Sequence, residues 1–272
     1  MASTATLKTV TRAFEILDRL WERDGATPNE LAADLDIPLS TAHSYLHSLA
    51  ETGYVDRSNG RYQPGYRFFM RGNELKQREP LLHKSKAELR RLADVTEEIA
   101  VIHVEYDGLT MILHLEEGPQ SIDVGIYPGV AAPLYTQAAG KVLLAHLPEE
   151  RVHDLVHADL EPVTKETITD PAVLLDELAE IRDRGYWADW DQQVIGAGMV
   201  SAPVLIDAES SNDVRGSDVD LLGAITIVSP TGRLRDEEYR STLVRHVREA
   251  ADTIGVNYQY GGPRSGSLYV EQ

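Results

Sequence analysis

The chain has 272 residues, 42% of them hydrophobic, which suits about two globular domains with cores of ordinary size. It has no cysteine and no run of ~20 apolar residues, which excludes disulfides, thiolate zinc sites and a membrane-spanning helix. The net charge of −18 argues against a simple nucleic-acid binder, yet residues 1–80 carry 10 basic and 11 acidic side chains while the remainder carries 16 and 33.

Residues 1–7 read as a loose end. Thr9 to Arg23 has the spacing of an amphipathic helix, with Val10, Ala13, Phe14, Leu17, Leu20 and Trp21 on one face and Gly25 ending it. Thr27-Pro28-Asn29-Glu30 opens a second helix: Thr27 can cap, Pro28 suits the first helical position, and Glu30 completes a capping box. Leu31, Ala32 and Leu35 form its apolar face, and Pro38 breaks it. A third helix follows, with Ser40 or Thr41 as its expected cap. Ala42, Tyr45, Leu46 and Leu49 point inward, and Ser40, Thr41, His43, Ser44, His47 and Ser48 point outward. Such a helix suits the major groove, although an ordinary helical hairpin would look similar.

Asn59-Gly60 between Tyr54–Arg57 and Arg61–Gln63 is a tight β-turn signal. Three helices and a hairpin make a winged helix-turn-helix. Arg57 and Arg61 flank the turn, where a wing could meet phosphate; otherwise they are solvated hairpin arginines. Pro64 to Arg78 predicts a connecting helix with Tyr66, Phe69, Met70 and Asn73 along one side, a candidate partner surface.

Beyond Pro80 the pattern changes. Leu81–Glu98 predicts a helix. Ile99–Tyr106 and Leu109–Glu117 predict strands around Asp107-Gly108, with Leu109, Met111, Leu113 and Leu115 alternating, and Ser121–Tyr127 predicts a third strand. Helices are expected at Thr136–His146, Glu149–Ala158, Pro171–Arg184 and Arg233–Tyr260, and strands at Tyr186–Asp189, Met199–Ile206 and Leu221–Val228. Asp207–Asp220 is an acidic loop, and a tail follows Tyr260. The order suggests an α+β domain with an antiparallel sheet flanked by helices. The expected division is a winged helix-turn-helix over 6–66, a linker helix over 67–80, a second domain over 81–260 and a tail over 261–272.

Only 6 of the 26 basic residues are lysine, a composition suited to molar salt. There the Debye length is ~3 Å, so an acidic body costs a DNA binder little. No signal-peptide segment opens the chain, and a cytoplasmic location is expected.

The whole arrangement resembles the IclR family of bacterial and archaeal transcription regulators. Its winged helix is matched by LKTVTRAFEILDRL and NELAADLDIPLSTAHSYLHSLAETGYVDRSNGRYQPGYRF. Its effector domain is matched by APLYTQAAGKVLLAHLPEE at 132–150, ELAEIRDRGYWADWDQQVIGAGMVSAPV at 177–204 and LLGAITIVSPTGRLRDEEY at 221–239. The resemblance implies a GAF-like effector-binding domain, a homodimer or tetramer on a two-fold operator in double-stranded DNA, and control by a small organic acid or sugar-derived metabolite of a catabolic or central pathway. In members that bind glyoxylate-like acids, the ligand positions correspond here to the amides of Ala138 and Ala139 and to Asp189, Met199, Thr226 and Val228. Met199 stands in place of a cysteine and Val228 in place of a serine, which favours a larger or less polar effector than glyoxylate. Ser44 replaces a common arginine and Tyr135 a common histidine, so operator and ligand are expected to differ from those members.

The residues themselves leave choices open. The small residues before Gly140-Lys141 suit an anion at a helix N-terminus or close packing on a sheet, and Lys141 is ligand-facing or solvated. Asp189, between Trp187 and Trp190, is a pocket-rim group or a surface-turn carboxylate. The pairs His43/His47 and His153/His157 have metal-ligand spacing but no third ligand, so no metal is expected. No nucleophile elbow, metalloprotease motif or phosphate loop occurs, so no catalytic residue and no cofactor is assigned. The competing interpretation is an enzyme or metabolite carrier that uses a helix-turn-helix for protein docking.

Overall fold

The computed structural model describes residues 7–207 and 219–261, which form two compact units divided between Glu79 and Pro80. Most of the segments expected to be a loose start, an acidic loop and a tail lie outside the described residues.

In the first unit, α1 (Lys8–Glu22), α2 (Pro28–Asp34) and α3 (Leu39–Glu51) precede β1 (Val55–Ser58) and β2 (Arg61–Pro64). The α2 capping box forms as its sequence dictates: Thr27 N donates to Glu30 Oε2 at 2.7 Å, and Glu30 N donates to Thr27 Oγ1 at 3.3 Å. Asn59 and Gly60 both take positive φ, +50° and +80°, as a type I′ hairpin turn requires. Tyr62 also exchanges backbone hydrogen bonds with Ala26, tying the hairpin to the loop before α2.

Two expectations change. Pro38, not Ser40 or Thr41, occupies the α3 cap, because the helix already starts at Leu39 and both hydroxyl residues fall inside its first turn. On α1, only Leu17 and Leu20 of the expected face are buried, together with Ile16. Val10, Phe14 and Trp21 lie exposed, because the small three-helix core reaches only part of the stripe. The connecting helix is α4 (Arg67–Arg78). It buries nothing fully, but Phe68 packs edge-on against Trp21 and Tyr54 while Tyr66, Phe69 and Met70 stay exposed.

The second unit runs α5 (Pro80–Thr96), β3 (Ile99–Tyr106), β4 (Leu109–Glu116), β5 (Ala131–Pro133), α6 (Ala138–Ala145), α7 (Glu149–Val156), α8 (Pro171–Arg184), β6 (Trp187–Trp190), β7 (Ala197–Asp207), β8 (Val219–Pro230), α9 (Thr231–Leu234) and α10 (Glu237–Tyr260). Its strands form one antiparallel sheet in the order β5-β4-β3-β8-β7-β6. α5 and α10 pack on one face. α6, α7 and α8 build a second core around Leu143, Val156 and Leu178.

The 121–127 segment is not a strand. Its Ile122, Val124 and Ile126 do turn inward, so the alternation is real, but the backbone joins no ladder and β5 takes the sheet edge instead. The regular alternation expected along β4 is also broken. A bulge opposite Ile102 and His103 shifts the register, so Leu113 packs on the helical side while Leu115 and Ile112 reach the other face. The helix expected from Thr136 begins at Ala138 after a 3₁₀ turn, Leu134–Thr136. The helix expected from Arg233 is divided, with Asp236 capping α10 by accepting from Tyr239 N at 2.8 Å.

Candidate functional site

The outward face of α3 is available to a ligand. Ser40, His43, Ser44 and His47 are exposed and Thr41 is half-buried. The serines are partly self-satisfied: Ser44 Oγ donates to Ser40 O at 2.9 Å, and Ser48 Oγ donates to Ser44 O at 2.8 Å. They therefore offer mainly acceptor lone pairs, and the histidine rings supply the N–H donors. Arg57 is exposed and stacks over Tyr62 with its guanidinium 5.5 Å from the ring centre. Arg61 is engaged within the unit, donating to Gly25 O at 2.6 Å and to Glu30 Oε2 at 3.3 Å. The two wing arginines thus differ in freedom, which the sequence did not distinguish. Lys8, Thr9 and Arg12 of α1 line a groove with Thr41 and Tyr45, an addition that sequence periodicity alone did not mark.

In the second unit the strand register gathers the expected effector residues. Asp189 pairs with Met199, and Met199 with Val228. The next row joins Trp187, Ser201 and Thr226. Alternate residues of a strand share a face, so these side chains lie on one side of the sheet. Ala138, at the start of α6, packs in the same cluster as Met199 and Val228. Ala139 is also buried. Gly140 has no alternative here, because any Cβ would overlap the backbone carbonyl of Leu134. Small residues thus serve close packing, and the same packing leaves the first-turn amides of α6 without a side-chain cap.

Lys141 is wholly buried, not solvated. Its Nζ lies 2.6 Å from both Glu177 Oε2 and Gln192 Oε1, and 3.9 Å from Asp189 Oδ2. Asp189 is a buried strand residue rather than a surface-turn carboxylate. Burial pushes its carboxyl up to about 7; Lys141 opposes the shift and Glu177 reinforces it. Asp191, two residues on, serves the backbone instead. It accepts from Gly196 N at 2.7 Å and Thr231 Oγ1 at 2.8 Å, fixing the turn before β7.

Polar side chains lie one row away from Met199 and Val228. Thr226 Oγ1 lies 2.9 Å from Ser201 Oγ and 3.3 Å from His103 Nδ1. His103 is buried, and burial pushes its imidazole down to about 3, so it is neutral. His103, Gln137 and Gln193 line a cavity of about 60 Å³ with Met199 and Val228, under the 124–130 segment. Apolar side chains, Met199, Val228 and Ile112 among them, form much of its wall. The three polar residues are absent from the sequence-based set. His103 had a signal, as a lone polar group in the apolar strand IAVIHVEY. Among the described residues, no three His, Cys, Asp or Glu side chains gather as metal ligands.

Two family models match the chain: the IclR helix-turn-helix domain over residues 9–58, and the C-terminal domain of the bacterial transcriptional regulator IclR over 74–256. A curated relative, the probable HTH-type transcriptional regulator ArcR of Halobacterium salinarum, is 30% identical over 93% of this chain and 94% of its own. The HTH-type transcriptional regulator BhcR of Paracoccus denitrificans is 31% identical over 90% of this chain and 85% of its own. The crystal structure of Thermotoga maritima IclR aligns with a TM-score of 0.72 at 28% identity, covering 94% of this chain and 100% of that one. An IclR homolog from Microbacterium hydrocarbonoxydans, solved with 4-hydroxybenzoate, shares the fold at a TM-score of 0.70 and 21% identity, over 86% of this chain and 91% of that one.

Proposed function

The chain belongs to the IclR family and is a ligand-responsive, DNA-binding transcription regulator, and we propose that it reads a two-fold operator as a homodimer or tetramer under the control of a small organic acid. The observation that supports the effector assignment is the strand register that aligns Asp189, Met199 and Val228 in one row, with Ala138, at the uncapped start of α6, in the same apolar cluster as Met199 and Val228. An amide-rich helix start favours a carboxylate, and the apolar wall favours a short carbon chain. DNA is read by His43, His47, Ser40, Ser44 and Thr41 on α3, with Arg57 on the wing touching phosphate. Arg61 supports the wing from behind. Dimer formation is supported by the exposed apolar residues of α1 and α4, where Phe14, Trp21, Tyr66, Phe69 and Met70 would leave a costly surface in a monomer. No step of bond making or breaking is assigned, and the protein works in the cytoplasm at high salt.

Footprinting on DNA flanking its own gene, across salt and with short carboxylic acids, tests the proposal. Protection of a two-fold site that shifts with one acid is expected. No protection under any condition, or turnover of the acid, would overturn it.

A further inference from the structure

The β3–β8 ladder ends at His103 and Ala224, yet β3 runs on to Tyr106 and β8 begins at Val219. Beyond that point each strand stays paired on its other side, Glu105 with Thr110 of β4 and Asp220 with Ile206 of β7. The two strands therefore fork. A cavity of about 260 Å³ lies in the fork, lined by Glu105 of β3, by Asp220 and Leu221 of β8, and by Leu143, His146 and Leu147 at the C-terminal end of α6. The effector row sits at the other end of the same helix, beside Ala138.

The polar side chains of this cavity are acceptors. Asp220 Oδ2 is buried and has no hydrogen-bond partner. His146 Nδ1 donates to Val142 O at 2.8 Å, and burial holds the ring below the usual histidine range, so it is neutral and its Nε2 carries a lone pair. Glu105 Oε1 accepts from Gly108 N at 2.8 Å and from Arg151 Nη2 at 3.3 Å, which keeps Oε2 as an acceptor. Among the described residues, no lysine or arginine lines the cavity: Arg151 is engaged by Glu105, and Arg182 Nε donates to the Ala145 carbonyl at 2.7 Å. The helix dipole favours a cation here, because this is the C-terminal end of α6. A buried carboxylate oxygen without a donor is a costly arrangement that a bound cation relieves. A bare metal ion lacks a ligand set, since no three His, Asp or Glu side chains converge among the described residues. The leucines offer apolar walls to a carbon chain behind the charge.

We propose that the fork between β3 and β8 is a second small-molecule site, separate from the effector row, and that it takes a primary alkylammonium. The ammonium donates to Asp220, with Glu105 and His146 Nε2 as its further acceptors, and the carbon chain lies along Leu143, Leu147 and Leu221. The volume of about 260 Å³ falls just below the about 300–1,000 Å³ of drug-sized ligand sites, which suits a chain of a few carbons. The two carboxylates exclude an organic acid, so this site and the effector row select opposite charges.

Calorimetric titration of the full-length protein at fixed ionic strength with n-butylammonium, n-butanol and tetramethylammonium tests this. n-Butylammonium should bind saturably at one site per chain. n-Butanol, with the same chain and no charge, and tetramethylammonium, with the charge and no N–H donor, should each bind about ten-fold more weakly or worse. Asp220→Asn should weaken n-butylammonium binding about ten-fold or more while leaving the ligand-free melting temperature unchanged or raised, because a buried carboxylate without a partner has been removed. Glu105→Gln provides a second variant and should also weaken binding. Equal affinity for the three probes would overturn the ligand class, and unaltered affinity in both variants would overturn the placement of the site. A melting temperature lowered by Asp220→Asn would show that the protein already holds this carboxylate, and would overturn the proposal. Failure of n-butylammonium to bind would overturn it outright, while leaving the effector assignment at the other end of α6 standing.

Discussion

Lys141 Nζ stands 2.6 Å from Glu177 Oε2, and the lysine side chain has no solvent exposure. A buried ammonium holds its charge only while partners replace the lost water. Lys141→Ala strands Glu177 and Asp189 without their cation and should cost about 3–5 kcal/mol in urea unfolding. The double change Lys141→Met with Glu177→Leu removes both charges and should cost much less. Equal losses in the two variants would mean that packing volume, not charge pairing, sets the stability here.

Asp189 should make stability fall as pH rises. Its carboxyl titrates near ~3.9 in an unfolded chain. In the folded protein burial raises it to about 7, against the pull of Lys141 and with help from Glu177. Between these values the folded state holds the proton more tightly, so this group's contribution is fullest below about pH 4 and is gone above about pH 7. Asp189→Asn should flatten the unfolding free energy across that window, by an amount on the order of a few kcal/mol. Wild-type and variant curves that run parallel would count against it.

Much of this was legible in the sequence because it is local chemistry. The capping box at Thr27 and Glu30, the turn at Asn59-Gly60 and the strand pair around Asp107-Gly108 follow from backbone preferences of a few neighbouring residues. What was not legible depends on partners distant in sequence. The 121–127 segment alternates like a strand, yet whether a ladder forms depends on which segment claims the β4 edge. The bulge opposite His103 flips the side-chain parity of β4 without any glycine or proline to announce it. Lys141 reads as ligand-facing or solvated until α8 brings Glu177 beside it. Gln137 and Gln193 show no periodic signal, because each joins the site from a loop or helix end.

The Ser-Pro-Thr-Gly-Arg stretch at 229–233 has a structural reason in Glu98. Its wholly buried Oε1 accepts from Ser229 Oγ at 2.7 Å, Arg233 Nη1 at 2.7 Å and Tyr239 Oη at 2.6 Å. These bonds fasten the start of β3 to the end of β8 and to α10. Hydrogen bonds to a buried charge are worth about 1.5–3 kcal/mol each, so Tyr239→Phe should lower stability by that amount in thermal unfolding. Arg233→Met should cost more, since it removes the cation. A Tyr239→Phe variant as stable as wild type would show that the tyrosine bond contributes nothing net.

Arg57 and Arg61 flank one turn but should fail differently. Among the described residues Arg57 has no acidic partner, so Arg57→Ala should weaken DNA binding about equally for all sequences and reduce the salt slope by about one. Arg61→Ala should lower melting temperature first, because Arg61 bonds the Gly25 carbonyl and Glu30. His43→Ala and His47→Ala remove donors from an exposed face and should leave stability intact while costing about 1–3 kcal/mol on the operator and relaxing base preference. With one wing arginine free of acidic partners among the described residues and an outward α3 face of serines and histidines, phosphate contacts should be few. The slope of log affinity against log salt should therefore be shallow for a protein of this size. A slope as steep as that of a strongly basic repressor, measured with the wild-type protein, would mean that cations elsewhere carry the contact, and the groove formed by Lys8 and Arg12 beside Thr41 would be the first place to mutate.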